Sequence, residues 1–314
     1  MRTTSADPGF FSVDLELTNQ CENRCALCPR GSLRRKVGRI EPEAFSRLSD
    51  LLLPQGGLLS FSGMGDPLSH PGVYDFCREH RGKGGAVAIV VHPASLRDAN
   101  ACRLLVEARP NTVTVSFPSA RPEIFERLCP SISFEEALSI ARGLIRRARG
   151  RVGVQIAGIR TLINRDETET YLAFWRAEGA RAEMHDCHGR GGNLPASELY
   201  PGAPPARDGR PCSLIAFHSF ITWEGDILAC CHDLTGETRL GNSLRDGLGE
   251  AARRKASLAG RPMPFELCLR CDEPLRSCRI PGPPGPGAPT SRRRFFKQLR
   301  SRASADAAPR RKEP

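Results

Sequence analysis

Three cysteines lie close together near the start of the chain, in the order Cys21, Cys25 and Cys28. Thiolates are favoured ligands of iron–sulfur clusters and of structural zinc, and three of them within eight residues can surround one face of a small inorganic centre. A [4Fe–4S] cube held in this way keeps one iron free for a further ligand, whereas structural zinc requires a fourth protein ligand. No obvious fourth ligand precedes His70. The spacing therefore favours an iron–sulfur cluster with an open position, with zinc and redox-active thiols as the alternatives.

A second group of cysteines lies in the C-terminal third of the chain, at Cys212, Cys230, Cys231, Cys268, Cys271 and Cys278. A β-hairpin is predicted over 220–230, because strand-like runs flank the turn sequence Trp-Glu-Gly-Asp at 223–226. A hairpin followed by the Cys-x2-Cys pair at 268–271 can bring four thiolates around one metal centre. On geometry alone, zinc and a [4Fe–4S] cluster fit such a site equally well.

The cysteine content also indicates a compartment. Thirteen cysteines in 314 residues do not suit a disulfide framework, because their number is odd and their spacing uneven. The first eleven residues lack a basic stretch followed by an apolar segment, so we expect no secretory signal and a location in the reducing cytoplasm. No run approaches the roughly 18 apolar residues of a membrane-spanning helix. Cys77, Cys102 and Cys129 have no partners in the pattern and are expected to pack as small apolar residues.

Strand-like and helix-like segments alternate before residue 190, and these elements must position the first cysteines. Strands are predicted over 12–17, 58–61, 86–91, 112–116, 152–156 and 180–185 from runs of apolar and β-branched residues. Helices are predicted over 41–53, 73–80, 99–107, 134–149 and 167–178, where apolar residues recur every three or four positions. The alternation predicts an α/β fold of parallel βα units, either an open sheet or an incomplete barrel. In both, the chemistry belongs at the carboxyl ends of the strands, and Cys21 follows the first strand.

The net charge of +11 is concentrated at the end of the chain. Nine basic and two acidic residues lie between 292 and 314, after a Pro/Gly-rich run that begins at Pro281. Such a segment cannot bury enough apolar surface to fold alone, so a disordered basic tail is predicted over 281–314. The rest of the chain is nearly balanced in charge and gives no compositional reason to expect a nucleic-acid partner. A Gly/Pro/Asn-rich connection over 189–211 separates two predicted domains, 1–200 and 201–280.

The spacing Cys-x3-Cys-x2-Cys after a first strand, between 18–20 (Thr-Asn-Gln) and 29–30 (Pro-Arg), resembles the signature of the radical S-adenosylmethionine (radical SAM) enzymes. The resemblance implies a partial (β/α)6 TIM-like barrel and a catalytic [4Fe–4S] cluster held by Cys21, Cys25 and Cys28. In that family, the open iron binds S-adenosylmethionine, and one electron cleaves the sulfonium to a 5′-deoxyadenosyl radical that abstracts a substrate hydrogen. A reducing partner such as flavodoxin or ferredoxin is implied as well.

The segment 61–68, Phe-Ser-Gly-Met-Gly-Asp-Pro-Leu, resembles the family's Gly-Gly-Glu-Pro element, which lines the methionine part of the cofactor. Asp66 stands where the family usually has glutamate, and its carboxylate is one methylene shorter. Ser116, at the end of the fourth strand, falls where relatives place a hydroxyl near the cofactor, and Leu27 fills a position by the adenine that is usually aromatic. The resemblance assigns six residues to cofactor binding: Leu27, Gly63, Gly65, Asp66, Pro67 and Ser116.

The C-terminal cysteines resemble the Twitch or SPASM extension of radical SAM enzymes, in which a Gly-x4-Cys hairpin helps to hold an auxiliary [4Fe–4S] cluster. A full SPASM domain has enough cysteines for two clusters, whereas only Cys278 follows the Cys-x2-Cys pair here. The resemblance therefore implies one auxiliary cluster that accepts an electron from a substrate radical, with the ligands Cys212, Cys230, Cys268 and Cys271. Cys231 could take the place of Cys230, and Cys278 has no assigned role.

These features predict a radical SAM oxidoreductase or maturase. Relatives of this architecture oxidise sugars and aminocyclitols or crosslink ribosomally made peptides in natural-product pathways. The residues before Val13 are too few to fold a leader-peptide-binding domain, which favours a small molecule or a peptide presented by a separate protein. The alternatives are an RNA- or tRNA-modifying radical SAM enzyme, suggested by the basic tail, and a non-catalytic iron–sulfur or zinc module.

Overall fold

Strands and helices alternate through the first part of the chain, as the sequence pattern predicts. The computed structural model describes residues 10–202, 211–212 and 214–273. Its first strands are β1 (Ser12–Leu15), β2 (Leu58–Phe61), β3 (Ala86–Val91), β4 (Thr112–Ser116), β5 (Gly153–Arg160) and β6 (Arg181–Asp186). The helices between them are α1 (Pro42–Leu52), α2 (Val73–Gly82), α3 (Ala99–Glu107), α4 (Pro122–Leu128), α5 (Phe134–Ala148) and α6 (Thr168–Ala177). The predicted tail over 281–314 and Cys278 lie outside the described residues.

Strands β1 to β6 form a parallel sheet whose spatial order is the order of the chain. Burial alternates along β1, β2 and β4, because residues such as Val13, Leu59 and Val113 pack beneath the helices. The residues between them point to the opposite side, where they are only partly covered. We call this side the polar face; it includes Asp14, Ser60, Thr114, Ser116 and Gln155. A parallel sheet with one helix-covered side and one open side confirms the predicted partial (β/α)6 barrel.

Each of four helices begins either with a side chain that accepts a hydrogen bond from a free backbone N–H group or with a proline, which has no N–H group. Asp98 accepts a hydrogen bond from the Asn100 N–H at 2.9 Å before α3, and Ser133 accepts one from the Glu136 N–H at 3.3 Å before α5. Helices α1 and α4 begin with prolines, whose fixed φ suits the first helical position. The boundaries of these helices are therefore encoded locally in the sequence.

The C-terminal part of the described chain continues the same sheet. Its strands are β7 (His218–Ile221), β8 (Asp226–Leu228) and β9 (Arg239–Asn242). The antiparallel pair β7–β8 confirms the predicted hairpin and its turn at 223–226, and β9 pairs antiparallel with β8. Strand β7 also pairs in parallel with β1, which the sequence did not predict. The parallel sheet and the C-terminal hairpin thus share β1, while the predicted boundary near residue 200 stays a prediction.

Several short helices were not predicted. They are α4 and the C-terminal helices α7 (Leu214–Phe217), α8 (Ser243–Asp246), α9 (Gly249–Leu258) and α10 (Glu266–Leu269). Most contain too few turns for a visible apolar period, and α9 buries only Ala251, Ala252 and Lys255. A lysine among the three buried positions hides the amphipathic pattern on which the prediction relies. Among the described residues, no helix has the length and apolar character needed to cross a membrane.

We expect the aromatic cluster beneath α4 to carry much of the stability of the barrel. Phe117 follows β4, and its ring centroid lies 4.4 Å from that of Phe125 on α4 and 4.8 Å from that of Trp175. Replacing Phe117 with alanine should lower the free energy of unfolding by about 3–5 kcal/mol, because the site is fully buried. The measurement is anaerobic urea denaturation of the purified chain.

The exposed Leu51 on α1 provides the control for this prediction. Leu51→Ala should change the free energy of unfolding by less than about 1 kcal/mol, since surface truncations cost little. Equal effects of the two substitutions would contradict the assignment of Phe117 to the packed core.

Candidate functional site

The first cysteine loop, Cys21–Cys28, follows the carboxyl end of β1. Cys21 and Cys25 are partly buried and Cys28 is exposed at its surface. The Cys28 N–H donates to the carbonyl oxygen of Cys25 at 3.1 Å. Although Cys28 is exposed as a residue, partial desolvation of its sulfur raises the pKa of the thiol, and negative charge on Cys25 and Cys21 raises it further. The three predicted ligands thus lie on one short loop, and their joint binding of a metal centre stays a prediction.

An apolar contact and a backbone hydrogen bond fix the loop to α4. The Ala26 N–H donates to the carbonyl oxygen of Leu128 at 2.9 Å. Leu27, predicted to lie by the adenine of the cofactor, packs against a small cluster of Ile124, Leu128 and Leu199. The observed contact of Leu27 is therefore with α4, a helix that the sequence pattern did not predict.

A buried ion pair fixes the segment that follows the loop. The guanidinium of Arg35 donates to both carboxylate oxygens of Glu16, at 2.6 and 2.9 Å. Glu16 is fully buried next to the end of β1, and its Oε2 also accepts from the Met64 N–H at 3.2 Å. The Arg35 N–H donates to the carbonyl oxygen of Leu234 in the C-terminal part. Removing one member of such a pair leaves an uncompensated buried charge and destabilises the folded state by roughly 3–5 kcal/mol. Through these contacts, the pair links the end of β1, the turn after β2 and the C-terminal part.

Asp66 connects the loops that follow β2 and β3. It is buried, and its Oδ1 accepts from the Leu68 N–H at 2.9 Å. Its Oδ2 accepts from the His92 N–H at 2.9 Å and from the Ser95 hydroxyl at 2.8 Å. Burial raises the pKa of Asp66, and these hydrogen bonds oppose that rise. Most of the acceptor capacity of this carboxylate therefore serves the fold, and its predicted contact with the cofactor stays a prediction.

Glycines in the turn after β2 allow it to lie against the first cysteine loop. A Cβ on Gly65 would lie 2.3 Å from the carbonyl oxygen of Thr18 and 2.5 Å from that of Gln20, directly before Cys21. Gly63 has φ +154° and approaches the side chain of Glu16. Pro67 is buried at the start of the turn that follows. Only residues without a side chain fit at positions 63 and 65.

Ser116 occupies the end of β4, on the polar face and opposite Ala157 of β5. Because the strands are parallel, their carboxyl ends lie at one edge of the sheet. Ser116 therefore lies at the same edge as the first cysteine loop, where the resemblance places it.

Cys129 has partners that the sequence pattern did not indicate. The ligand atoms of Cys25, His92 and Cys129 lie within 4.8 Å of one another, and His92 Nε2 is 3.2 Å from Cys129 Sγ. Hydrogen bonding from Cys129, and then from His92, lowers the pKa of the Cys25 thiol and favours the thiolate that binds metals. Cys129 and Cys77 are both buried in the apolar core as expected, but Cys129 also has polar partners that the spacing did not indicate.

The four cysteines predicted for the second site line one cavity in the described part of the chain: Cys212, Cys230, Cys268 and Cys271. We call it the cysteine cavity. The rest of its wall is mostly apolar, with Leu214, Ile215, Ala229, Met263, Phe265 and Leu267. Cys231 is not part of this lining, and its thiol lies within 4.8 Å of ligand atoms of Asp14 and His218. The thiols of Cys230 and Cys231 also lie within 4.8 Å of each other and of a ring nitrogen of His232, so the choice between the two as a cluster ligand stays a prediction.

Backbone N–H groups point at two of the cavity thiols. The His232 N–H donates to Cys230 Sγ and the Glu273 N–H to Cys271 Sγ, both at 3.4 Å. Such hydrogen bonds favour the thiolate form and tune a bound cluster. Four convergent thiols, apolar walls and N–H···S contacts fit a four-thiolate metal centre on this structure.

The two sites lie at opposite ends of the β1–β7 pair. The first cysteine loop follows the carboxyl end of β1, while β8 runs antiparallel to β7 and brings Cys230 to the amino end of β7. Each of these strands has four residues, and four residues extend about 13 Å at about 3.3 Å per residue. Asp14 and His218, whose side chains are 3.4 Å apart, lie between the sites.

Two family sequence models match the chain. The model of the Radical SAM superfamily matches residues 15–172. The model of SPASM, an iron–sulfur cluster-binding domain, matches residues 212–272. The first match contains the first cysteine loop, and the second contains the four thiols of the cysteine cavity.

Solved structures share the fold at low sequence identity. BtrN in complex with AdoMet and 2-DOIA is 17% identical, with 84% of this chain and 93% of that chain covered and a TM-score of 0.57. Streptococcus suis SuiB bound to precursor peptide SuiA is 14% identical, with 86% and 67% covered and a TM-score of 0.61. Native anSMEcpe with bound AdoMet is 14% identical, with 79% and 82% covered and a TM-score of 0.57. These likenesses confirm the predicted fold class.

A curated relative matches a shorter region. The tungsten-containing aldehyde ferredoxin oxidoreductase cofactor-modifying protein of Pyrococcus furiosus is 29% identical over 86 residues. The match covers 27% of this chain and 24% of the relative, so the chain spans about a quarter of that protein.

We expect Gly65→Ala to impair metal binding at the first cysteine loop, because the added Cβ would collide with the backbone at Thr18 and Gln20. Iron after anaerobic reconstitution should fall from about eight to about four atoms per chain, since each cube holds four. Gly82→Ala is the matched control, because the end of α2 has open space around it. Full iron in Gly65→Ala would contradict the proposed packing of the turn against the loop.

Proposed function

Because this chain belongs to the radical SAM superfamily, we propose that it is a radical SAM oxidoreductase or maturase with two metal centres. The superfamily carries a [4Fe–4S] cluster and S-adenosylmethionine, and SPASM domains carry auxiliary iron–sulfur clusters. When bound, these groups supply reductive cleavage of the sulfonium to a 5′-deoxyadenosyl radical and an acceptor for the electron of a substrate radical. The first cysteine loop holds the catalytic cluster, and the cysteine cavity holds one auxiliary [4Fe–4S] cluster.

One observation carries the proposal most strongly. Three separate segments, around Cys212, around Cys230 and at 268–271, converge on one cavity at the far end of the β1–β7 pair from the first cysteine loop. A four-thiolate site leaves no open coordination position, which suits electron transfer better than substrate binding. The first cysteine loop has three thiols and retains a position for S-adenosylmethionine.

The chain's own residues prepare the cofactor site in distinct ways. The Glu16–Arg35 ion pair and the close contact at Gly65 hold the first cysteine loop against the turn after β2. Asp66 fixes that turn to the loop after β3. We propose that six residues bind S-adenosylmethionine at this edge of the sheet: Leu27, Gly63, Gly65, Asp66, Pro67 and Ser116.

The polar face supports a substrate with hydroxyl, amino or amide groups. Asp14, Ser60, Thr114 and Gln155 present carboxylate, hydroxyl and amide groups that can donate to or accept from such a molecule. We propose a sugar, an aminocyclitol or a ribosomally made peptide, oxidised or crosslinked in natural-product biosynthesis. The solved structures of BtrN with 2-DOIA and of SuiB with a precursor peptide are examples of both classes in proteins of the same fold.

Exposed basic residues next to the first cysteine loop support an acidic electron donor. Arg24 within the loop and Arg34, Lys36 and Arg39 in the segment that follows it are all exposed. Positive charge at such a surface attracts an acidic redox protein and speeds encounter. We propose a flavodoxin or ferredoxin as the reducing partner and the cytoplasm as the location, where thiols stay reduced.

The proposal predicts two independent consequences of losing one thiol from each site. The chain reconstituted anaerobically should hold about eight irons and should form 5′-deoxyadenosine from S-adenosylmethionine and dithionite. Cys25→Ala should abolish 5′-deoxyadenosine formation, because it breaks the three-thiolate set. Cys268→Ala should lower iron to about four atoms per chain and retain cofactor cleavage.

The matched control is Cys102→Ala, because Cys102 lies on α3 and belongs to neither site. This variant should keep both iron and cofactor cleavage. An iron content below about six atoms per chain would refute the two-cluster proposal, and a chain without 5′-deoxyadenosine formation would refute the radical chemistry.

A further inference from the structure

A buried lysine lies beside the cysteine cavity without an acidic partner among the described residues. Lys255 on α9 is 1% exposed. Its Nζ donates to the carbonyl oxygen of His218 and to the Ser219 hydroxyl, the latter at 2.8 Å, and lies 5.7 Å from the ring centroid of Phe10. All three partners are neutral. Because burial of an uncompensated charge is costly, the ammonium form is favoured over the neutral amine only where a negative charge lies nearby.

The cysteine cavity is the source of negative charge that reaches Lys255. Burial lowers the pKa of Lys255 to about 7, and the Cys230 and Cys212 thiols oppose that effect. The carbonyl oxygen that accepts from Nζ belongs to the first residue of β7, which directly follows α7, and α7 contributes Leu214 and Ile215 to the cavity wall. The antiparallel pairing of β7 with β8 brings Cys230 back toward His218, so Lys255 is hydrogen-bonded to the residue beside which this cavity thiol lies.

The described carboxylate in the cavity wall already has its own partners. Glu273 lines the cavity, and its Oε2 lies 2.7 Å from Nε2 of His232 and 3.4 Å from Nε2 of His188. This carboxylate therefore does not serve as the counter-charge of Lys255. Glu273 is paired with histidines, and Lys255 has no acidic partner among the described residues. The thiolates that hold a metal centre in the cysteine cavity are therefore the anionic groups that can balance the charge of Lys255.

We propose that Lys255 is the counter-charge of the metal centre in the cysteine cavity and that its positive charge raises the reduction potential of that centre. This inference rests on the proposed auxiliary [4Fe–4S] cluster. Four thiolates outweigh the positive charge of the iron–sulfur core, so the site is anionic and becomes more so when it accepts one electron. A fixed cation in a surrounding of low dielectric constant stabilises the reduced form more than the oxidised form. No bond or proton is exchanged in this step, and the electron comes from the substrate radical.

The position of Lys255 argues against a purely packing role. It occupies the buried side of α9 with Ala251 and Ala252. An apolar side chain of similar length would fill the same space without the cost of desolvating an ammonium group. A methionine at this position therefore removes the charge while keeping most of the volume, and an arginine keeps the charge.

The test measures the potential of the cavity centre in the full chain. A Cys21→Ala/Cys25→Ala/Cys28→Ala background removes the first site, so that the EPR signal of the reduced protein reports the cysteine cavity alone. In this background, Lys255→Met should lower the equilibrium constant for one-electron reduction at least about tenfold, which is 59 mV toward more negative potential. In Lys255→Arg, the equilibrium constant for one-electron reduction should stay within about threefold of the background value. The same holds for the control Lys83→Met, which removes a positive charge from the end of α2.

Iron content separates the possible outcomes. About four irons in Lys255→Met with an unchanged potential would overturn the inference, as would an equal shift in Lys255→Arg. Loss of iron in Lys255→Met with iron retained in Lys255→Arg would also support a counter-charge, whereas loss in both would refute it. A background variant that binds no iron would refute the auxiliary cluster itself, and with it the inference.

Discussion

The parallel pairing of β1 with β7 is the constraint on which both sites depend. Strand β1 leads into the first cysteine loop at its carboxyl end, and β7 begins beside the cysteine cavity at its amino end. Because the two strands run in the same direction, the sites lie at opposite ends of the pair. Asp14 and His218, whose side chains are 3.4 Å apart, join the two strands between these ends.

The Glu16–Arg35 ion pair and the buried Lys255 differ in how their charges are balanced. The Glu16–Arg35 pair is bidentate and internally balanced, so it serves to hold the first cysteine loop, the turn after β2 and the C-terminal part together. Lys255 has hydrogen bonds but no carboxylate among the described residues. In the proposal above, the thiolates of a loaded cysteine cavity balance this charge.

Sequence reasoning predicted the elements with a strong apolar period and the cysteines with metal-ligand spacing. It identified β1 to β6, the hairpin and the four thiols that line the cavity, because these depend on local pattern. It missed α4, which has too few turns to show an apolar period. It also missed the β1–β7 pairing and the partners of Cys129, because these depend on contacts between segments far apart in the chain. It also missed Lys255, since a lysine on a short helix is ordinarily exposed.

The central claim is that one chain holds two different iron–sulfur centres, of which only the first has an open position. EPR spectroscopy of the dithionite-reduced protein, with and without S-adenosylmethionine, tests it most directly. The account predicts two signals, of which S-adenosylmethionine changes only the one that Cys25→Ala removes. A single signal, or a second signal that also responds to S-adenosylmethionine, would contradict it.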